Sequence, residues 1–114
     1  MKSLKLKASA DDLNLAVLVS EPEGAPKGIF QIVHGMCEHK ERYIPFMEYL
    51  SGHGYVCVIH DHRGHGESVK TPDDLGFMYK GGWRAMVEDV KVVADWTKSH
   101  YPGLKYVLLG HSMG

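Results

Sequence analysis

The sequence predicts a single α/β domain over residues 1–114, in which a mixed β-sheet carries helices on both faces. Three observations predict it: an alternating apolar–lysine start, two runs apolar on both faces, and two stretches with helical spacing. A length of 114 residues, with 44% hydrophobic and 24% charged residues, is ordinary for one globular domain. An opening hairpin followed by alternating helices and strands favours a sheet that is parallel from its third strand onward.

Five segments have the patterns of strands. Residues 4–8 alternate apolar side chains with lysines, which indicates one solvated face, and residues 13–19 complete an antiparallel hairpin. Residues 28–33 and 55–59 are apolar at nearly every position, as expected of central strands covered on both sides. The fifth predicted strand spans residues 106–109.

Two helices are predicted between these strands. The first has four apolar residues at i, i+3, i+4 and i+7, which place them on one helical face. These residues are Tyr43, Phe46, Met47 and Leu50. The second helix begins at Trp83 and keeps helical spacing to Thr97, after which Tyr101-Pro102-Gly103 stops it.

The last strand leads directly into Gly-x-Ser-x-Gly, at Gly110 to Gly114. A strand, a sharp turn and a helix start are the context of a nucleophile elbow, in which Ser112 adopts a strained backbone and exposes its hydroxyl. Gly110 and Gly114 lack a Cβ, so the strand and the helix can approach closely on either side of the serine. The N–H of Met113, at a helix start, could then stabilise an oxyanion.

Two further polar segments follow central strands: His34-Gly35-Met36, and the loop from His60 to Ser68. Ligands of parallel sheets collect at the carboxyl ends of the strands. We therefore expect these two loops and Ser112 to meet at one edge of the sheet.

Composition excludes several other classes of function. The formal net charge of −1 gives no reason to expect a nucleic-acid partner or an acidic membrane surface. Cys37 and Cys57 do not form a disulfide framework, which favours a reducing compartment. No apolar stretch is long enough for a signal peptide or a membrane span, so we expect a cytoplasmic protein without an integral membrane segment.

A metal site is the alternative that the histidines raise. His60, His62 and His65 have the spacing of a metallo-hydrolase zinc loop. Gly64 stands where such loops carry an acid, and His60 continues the strand, so its ring is expected to point away from His62. A zinc loop would also leave the serine elbow unexplained.

Together, four motifs resemble the α/β-hydrolase fold, and within it the branch of monoacylglycerol lipases, bacterial lysophospholipases and serine aminopeptidase-type hydrolases. The motifs are residues 34–39, residues 60–68, Tyr101-Pro102-Gly103-Leu104 and residues 110–114. The resemblance implies a serine hydrolase of carboxylic esters, with a single-chain lipid or small-molecule ester as substrate and no metal or organic cofactor. It implies Ser112 as the nucleophile that forms an acyl-enzyme. It also implies oxyanion N–H groups from Met36 and Met113, on loops shaped by His34, Gly35, Gly110 and Gly114.

The sequence also departs from this family. In this fold the triad acid and histidine follow the serine, and the sequence has two residues after Ser112. His111, adjacent to the serine on a tight turn, is not expected to reach its hydroxyl as a base. We therefore expect an incomplete domain, inactive by itself, without the later strands and the lid that could contact a membrane surface transiently. The alternatives are a non-catalytic truncated remnant or interaction module, and a peptidase or acyltransferase of the same fold.

Overall fold

The structure is a computed structural model. It describes residues 1–11, 13–35, 38–71, 75 and 82–111, apart from the side chain of Trp83. Four of the predicted site residues lie outside the described residues: Met36, Ser112, Met113 and Gly114.

The described chain forms five strands, two α-helices and one 3₁₀ turn, in the predicted order. The strands are β1 (Lys2–Lys7), β2 (Asn14–Ser20), β3 (Gly28–Val33), β4 (Tyr55–His60) and β5 (Lys105–Gly110). The helices are α1 (Ile44–Gly52), which follows a 3₁₀ turn at Lys40–Tyr43, and α2 (Gly82–His100).

The sheet has the strand order β1-β2-β4-β3-β5. β1 pairs antiparallel with β2, and β2 pairs antiparallel with β4. β3 is parallel to both β4 and β5, with Ile29 opposite Val56 on one side and Tyr106 on the other. The predicted opening hairpin and the predicted mixed sheet, parallel from its third strand, are therefore confirmed.

The helices cover opposite faces of the sheet, as predicted. On one face Met47 and Leu50 of α1 pack with Ile32 and Ile59. On the other face Val93 of α2 packs in a larger cluster that includes Val17 and other residues of β2, β3 and β4. Successive residues of a strand point to opposite faces of the sheet, so β3 and β4 each supply side chains to both clusters. Both faces of these strands are covered, which explains why neither strand has a polar face.

The buried faces of the helices are narrower than their apolar spacing predicts. Phe46 is 39% exposed, because the covered side of α1 is centred on Met47 and Leu50. Val87 is 62% exposed, because one residue rotates 100° along a helix and its neighbour Met86 already faces the core. Phe46 and Val87 therefore share the helical spacing of buried residues but lie outside the covered faces of their helices.

The strand order indicates where this sheet would bind a ligand. From β3 the chain crosses through α1 to β4 on one side, and from β4 it crosses through α2 to β5 on the other side of β3. In open α/β sheets, ligands bind outside the carboxyl ends of strands where the order reverses in this way. Here that point lies between the ends of β3 and β5, where Val33 and Gly110 are register partners.

Candidate active site

The ends of β3 and β5 are joined by a backbone hydrogen bond. The N–H of His111 donates to the carbonyl oxygen of Val33 at 3.1 Å. His111 is the residue before Ser112, and Val33 is followed by His34 and Gly35. The structure therefore brings together the two segments that flank the predicted nucleophile and the predicted oxyanion donor Met36.

Glu38 links these two segments through its carboxylate. Its Oε1 accepts hydrogen bonds from the N–H of Gly35 and the hydroxyl of Tyr43, each at 2.7 Å, and lies 3.3 Å from Nδ1 of His111. The Tyr43 hydroxyl also lies 3.1 Å from His111 Nδ1. The Tyr43 and Gly35 hydrogen bonds stabilise the anion and lower the pKa of Glu38 to about 2. Burial and the neighbouring carboxylate raise the pKa of Tyr43 to about 12.

His34 holds the backbone of both polar loops. Its Nε2 accepts the N–H of His62 at 2.9 Å, so the ring proton is assigned to Nδ1, which donates to the carbonyl oxygen of Gly35 at 2.7 Å. His62 Nε2 in turn donates to the carbonyl oxygen of His34 at 2.9 Å. Both rings are buried, and burial lowers the pKa of each, that of His62 to about 4. These neutral rings fix loop geometry and do not supply charge.

The loop after β4 is organised around the buried carboxylate of Asp61. It accepts hydrogen bonds from the backbone N–H of Lys40 at 2.7 Å and of Glu67 at 2.9 Å. It also pairs with the Lys40 ammonium at 2.8 Å. Gly66 has φ +50, and a Cβ there would overlap the Asp61 carboxylate, so the turn requires glycine.

Within the described part of the chain, one acidic cluster has oxygen atoms close enough to hold a cation. Glu41, Asp61 and Glu67 offer oxygens within 4.8 Å of one another. The ammonium of Lys40 already lies 2.7 to 2.8 Å from an oxygen of each. Burial alone would lower the pKa of Lys40, but the three carboxylates outweigh it and raise that pKa. Lys40 therefore supplies the positive charge of this cluster.

The three histidines of the zinc-loop alternative are not arranged as ligands. The ring nitrogens of His60, His62 and His65 do not all come within 4.8 Å of one another. His62 Nε2 is engaged by a backbone carbonyl, and His65 Nδ1 donates to the carbonyl oxygen of Arg63 at 3.1 Å. His60, still a residue of β4, is fully buried and has no hydrogen-bond partner for either ring nitrogen. This geometry does not favour the metallo-hydrolase alternative.

A buried ion cluster ties the loop after β4 to the helix and the hairpin. Arg63 donates to both oxygens of Asp89 in α2, at 2.7 and 2.9 Å, and to Asp11 in the β1–β2 turn at 3.0 Å. The hydrogen bonds to Asp89 raise the pKa of the Arg63 guanidinium further above its ordinary value. Ser68 Oγ adds a hydrogen bond from the N–H of Ala16 at 2.9 Å. Three distant segments thereby support one loop.

Sequence reasoning assigned no role to Glu38, Lys40 and Asp89. Asp89 did leave a signal, since it interrupts the buried stripe of α2 between Met86 and Val93, where a charge needs a partner. Glu38, three residues after Gly35, has the spacing at which a carboxylate can return to a backbone N–H, as in a capping box. Lys40 gave no local signal of its buried role, because two of its three partners, Asp61 and Glu67, lie on another loop.

The sheet order, the helices on both faces and the polar loops at the carboxyl edge define an α/β-hydrolase fold. A solved structure with this fold is the highly thermostable carboxyl esterase from Bacillus coagulans in complex with glycerol. It aligns with a TM-score of 0.92 and 31% sequence identity, over 99% of this chain and 36% of that one. Residues 24–114 match the family model described as serine aminopeptidase, S33, and the chain belongs to that family.

Curated relatives include monoglyceride lipases. The human monoglyceride lipase is 36% identical over 106 residues, which is 93% of this chain and 33% of the relative. The monoacylglycerol lipase of Mycolicibacterium smegmatis is 31% identical over 93 residues, or 82% of this chain and 31% of the relative. The chain thus spans about a third of the length of these relatives. Over the described residues, neither helix combines the length and apolar character needed to cross a membrane.

Proposed function

We propose that this chain carries the nucleophile and the oxyanion donors of a serine hydrolase that cleaves carboxylic esters. The observation that carries the proposal is the junction of β3 and β5. There the His111 N–H bonds to Val33, and Glu38 contacts both Gly35 and His111. The residues that precede Met36 and Ser112 are thus held side by side at the edge where the fold binds ligands.

In the proposed reaction, the Ser112 hydroxyl oxygen attacks the ester carbonyl carbon while a histidine base takes its proton. The N–H groups of Met36 and Met113 stabilise the negative oxygen of the tetrahedral intermediate, and one such donor contributes roughly 10²–10³ in kcat. Collapse breaks the ester C–O bond, the alcohol leaves with the proton from the histidine, and water then hydrolyses the acyl-enzyme. We assign the histidine and its acid partner to residues outside these 114, because in this fold both follow the nucleophile.

The proposed substrate is the ester of a single-chain lipid, a monoacylglycerol or a lysophospholipid. The names of the relatives support this class, since several are monoglyceride lipases. The proposed mechanism requires no metal or organic cofactor, and contact with a membrane surface is assigned to a lid outside this chain. We place the enzyme in the cytoplasm, in keeping with the free, buried thiol of Cys57. The description of the matched family as a serine aminopeptidase makes a peptidase the second candidate.

The experiment uses the product of the complete reading frame that contains these residues, here called the complete product. It is treated with a fluorophosphonate probe, which labels activated serines. We expect labelling of the unaltered protein, none in Ser112→Ala, and full labelling in Ser99→Ala, which changes an exposed serine of α2. Hydrolysis of a monoacylglycerol is compared with that of an aminoacyl anilide to separate lipase from peptidase.

Two results would contradict the proposal. Labelling that persists in Ser112→Ala would assign the nucleophile elsewhere. A folded complete product that neither reacts with the probe nor hydrolyses an ester or an anilide would favour the non-catalytic interaction module.

A further inference from the structure

The peptide groups on both sides of Gly35 are held by hydrogen bonds. Its N–H donates to Glu38 Oε1 at 2.7 Å. Its carbonyl oxygen accepts the Nδ1–H of His34 at 2.7 Å and the backbone N–H of Glu38 at 3.3 Å. Gly35 is itself buried and the Glu38 side chain is 14% exposed, so water has little access to these bonds. Glu38 thus contacts Gly35 twice, once through its side chain and once through its backbone.

These bonds determine more than the orientation of Gly35. A trans peptide group is planar, so a carbonyl and the N–H of the following residue point in opposite directions. Fixing the Gly35 carbonyl therefore fixes the direction available to the next N–H along the chain. That N–H is the one proposed above as an oxyanion donor, and such donors act only when they are preorganised.

The Glu38 carboxylate also reaches the other side of the crevice. Its Oε1 accepts the hydroxyl proton of Tyr43 and lies 3.3 Å from His111 Nδ1. Its side chain is 14% exposed, and Arg42 pairs with the second carboxylate oxygen at 3.1 Å. With a pKa near 2, the carboxylate is anionic at neutral pH. One charged group therefore contacts the segment after β3 and the segment after β5.

We infer that Glu38 is a positioning residue that fixes the backbone of the segment after β3 against the residue following β5. The inference rests on the proposed function in one respect. Through this contact, Glu38 sets the position of the oxyanion donor relative to the nucleophile. Tyr43 extends the contact to His111, and His34 shares the hold on Gly35.

The test compares variants of the complete product in a water-soluble ester assay and by amide hydrogen exchange. In Glu38→Ala we expect the Gly35 amide to exchange at least about tenfold faster, while the Ile32 amide inside β3 is unchanged. We expect kcat to fall by about 10- to 100-fold with KM changed less than about threefold, because a misplaced oxyanion donor weakens transition-state binding. Glu38→Gln, which keeps one acceptor oxygen, should be intermediate in both measurements.

Two further variants separate positioning from general stability. Tyr43→Phe keeps the Glu38 bond to Gly35 but removes the hydroxyl contact with His111. We expect unchanged Gly35 exchange and a fall in kcat of about three- to tenfold. Glu48→Gln changes an exposed carboxylate of α1 and should alter neither measurement.

The exchange and kinetic results overturn different statements. Unchanged Gly35 exchange in Glu38→Ala overturns the inference, and so does faster exchange with unchanged kcat in an active enzyme. An increase in KM without a change in kcat would assign Glu38 to substrate binding and also overturns it. If the unaltered protein neither labels nor hydrolyses esters, the proposed function fails, and Gly35 exchange alone then decides whether Glu38 fixes this segment.

Discussion

Arg63 lies fully buried between carboxylates from two distant segments. Asp89 of α2 binds it through both oxygens, and Asp11 of the first turn completes the cluster. A buried charge whose partner is removed is costly, because the remaining ion has lost both water and its counter-charge. Removing either carboxylate therefore weakens the hold of the cluster on the loop after β4.

At this position we predict that Asp89→Asn destabilises the complete product by about 3 kcal/mol. The value is at the low end of the range for broken buried pairs, because Asp11 still contacts the guanidinium. The matched control is Asp95→Asn, on the same helix, whose pair with Lys91 is exposed. It should change the free energy of unfolding by less than about 0.5 kcal/mol. Urea unfolding measures both, and equal effects would mean that the Arg63 cluster does not hold the loop.

The role of Arg63 also shows what sequence reasoning could reach. The position of Arg63 in a turn at the carboxyl edge of the sheet can be predicted from the strand before it. Its partners Asp11 and Asp89, 52 and 26 residues away, cannot be predicted, because no local periodicity records contacts between distant segments. The same holds for Lys40 and Asp61, which are 21 residues apart. Residue roles set by long-range ion pairs appear only once the fold is known.

The end of β4 and the turn after it carry buried neutral histidines. Burial lowers the pKa of His60 from its ordinary value of 6.5 to about 3, and that of His62 to about 4. In the unfolded chain both rings titrate near 6.5. Below that pH the unfolded state binds protons that the folded state does not, so acid favours unfolding.

For this element we predict that the free energy of unfolding falls as the pH decreases from 6.5 to 5. Each histidine lowers the free energy of unfolding by up to about 1.4 kcal/mol for each pH unit of acidification below 6.5. At pH values well above 6.5 the contribution of both histidines is constant. His60→Leu should reduce the slope by up to that amount, whatever its effect on stability at neutral pH. Urea unfolding at several pH values checks this, and equal slopes in the unaltered protein and in His60→Leu would exclude the role of His60.

The secondary-structure elements were largely predictable, because their patterns are local. Two-sided apolar runs predict β3 and β4, and Tyr101-Pro102-Gly103 ends α2 where Gly103 has φ +78. The exposed Phe46 and Val87 were not predicted, since the width of a buried helix face depends on what packs against it. Strand order likewise required the structure, because pairing partners are not adjacent in sequence.

At the scale of the whole molecule, β5 forms one edge of the described sheet. It is parallel to β3 and apolar on both faces, a composition typical of an interior strand. Val107 is 44% exposed and Leu108 is 58% exposed, on opposite faces of the sheet. An edge with unpaired backbone groups and apolar side chains on both faces favours pairing with another chain.

We therefore predict that a polypeptide of residues 1–114, expressed alone, self-associates through β5. Light scattering after size-exclusion chromatography should show oligomers that dissociate on dilution. Leu108→Lys places a charge beside this edge and should shift the population toward monomer. Val87→Lys makes the same change at a comparably exposed site on α2 and should not. A monodisperse monomer with a cooperative thermal transition would show that the edge needs no further cover. It would also favour the interpretation that these residues form an independent interaction module, and would count against the interpretation that they are part of a larger hydrolase.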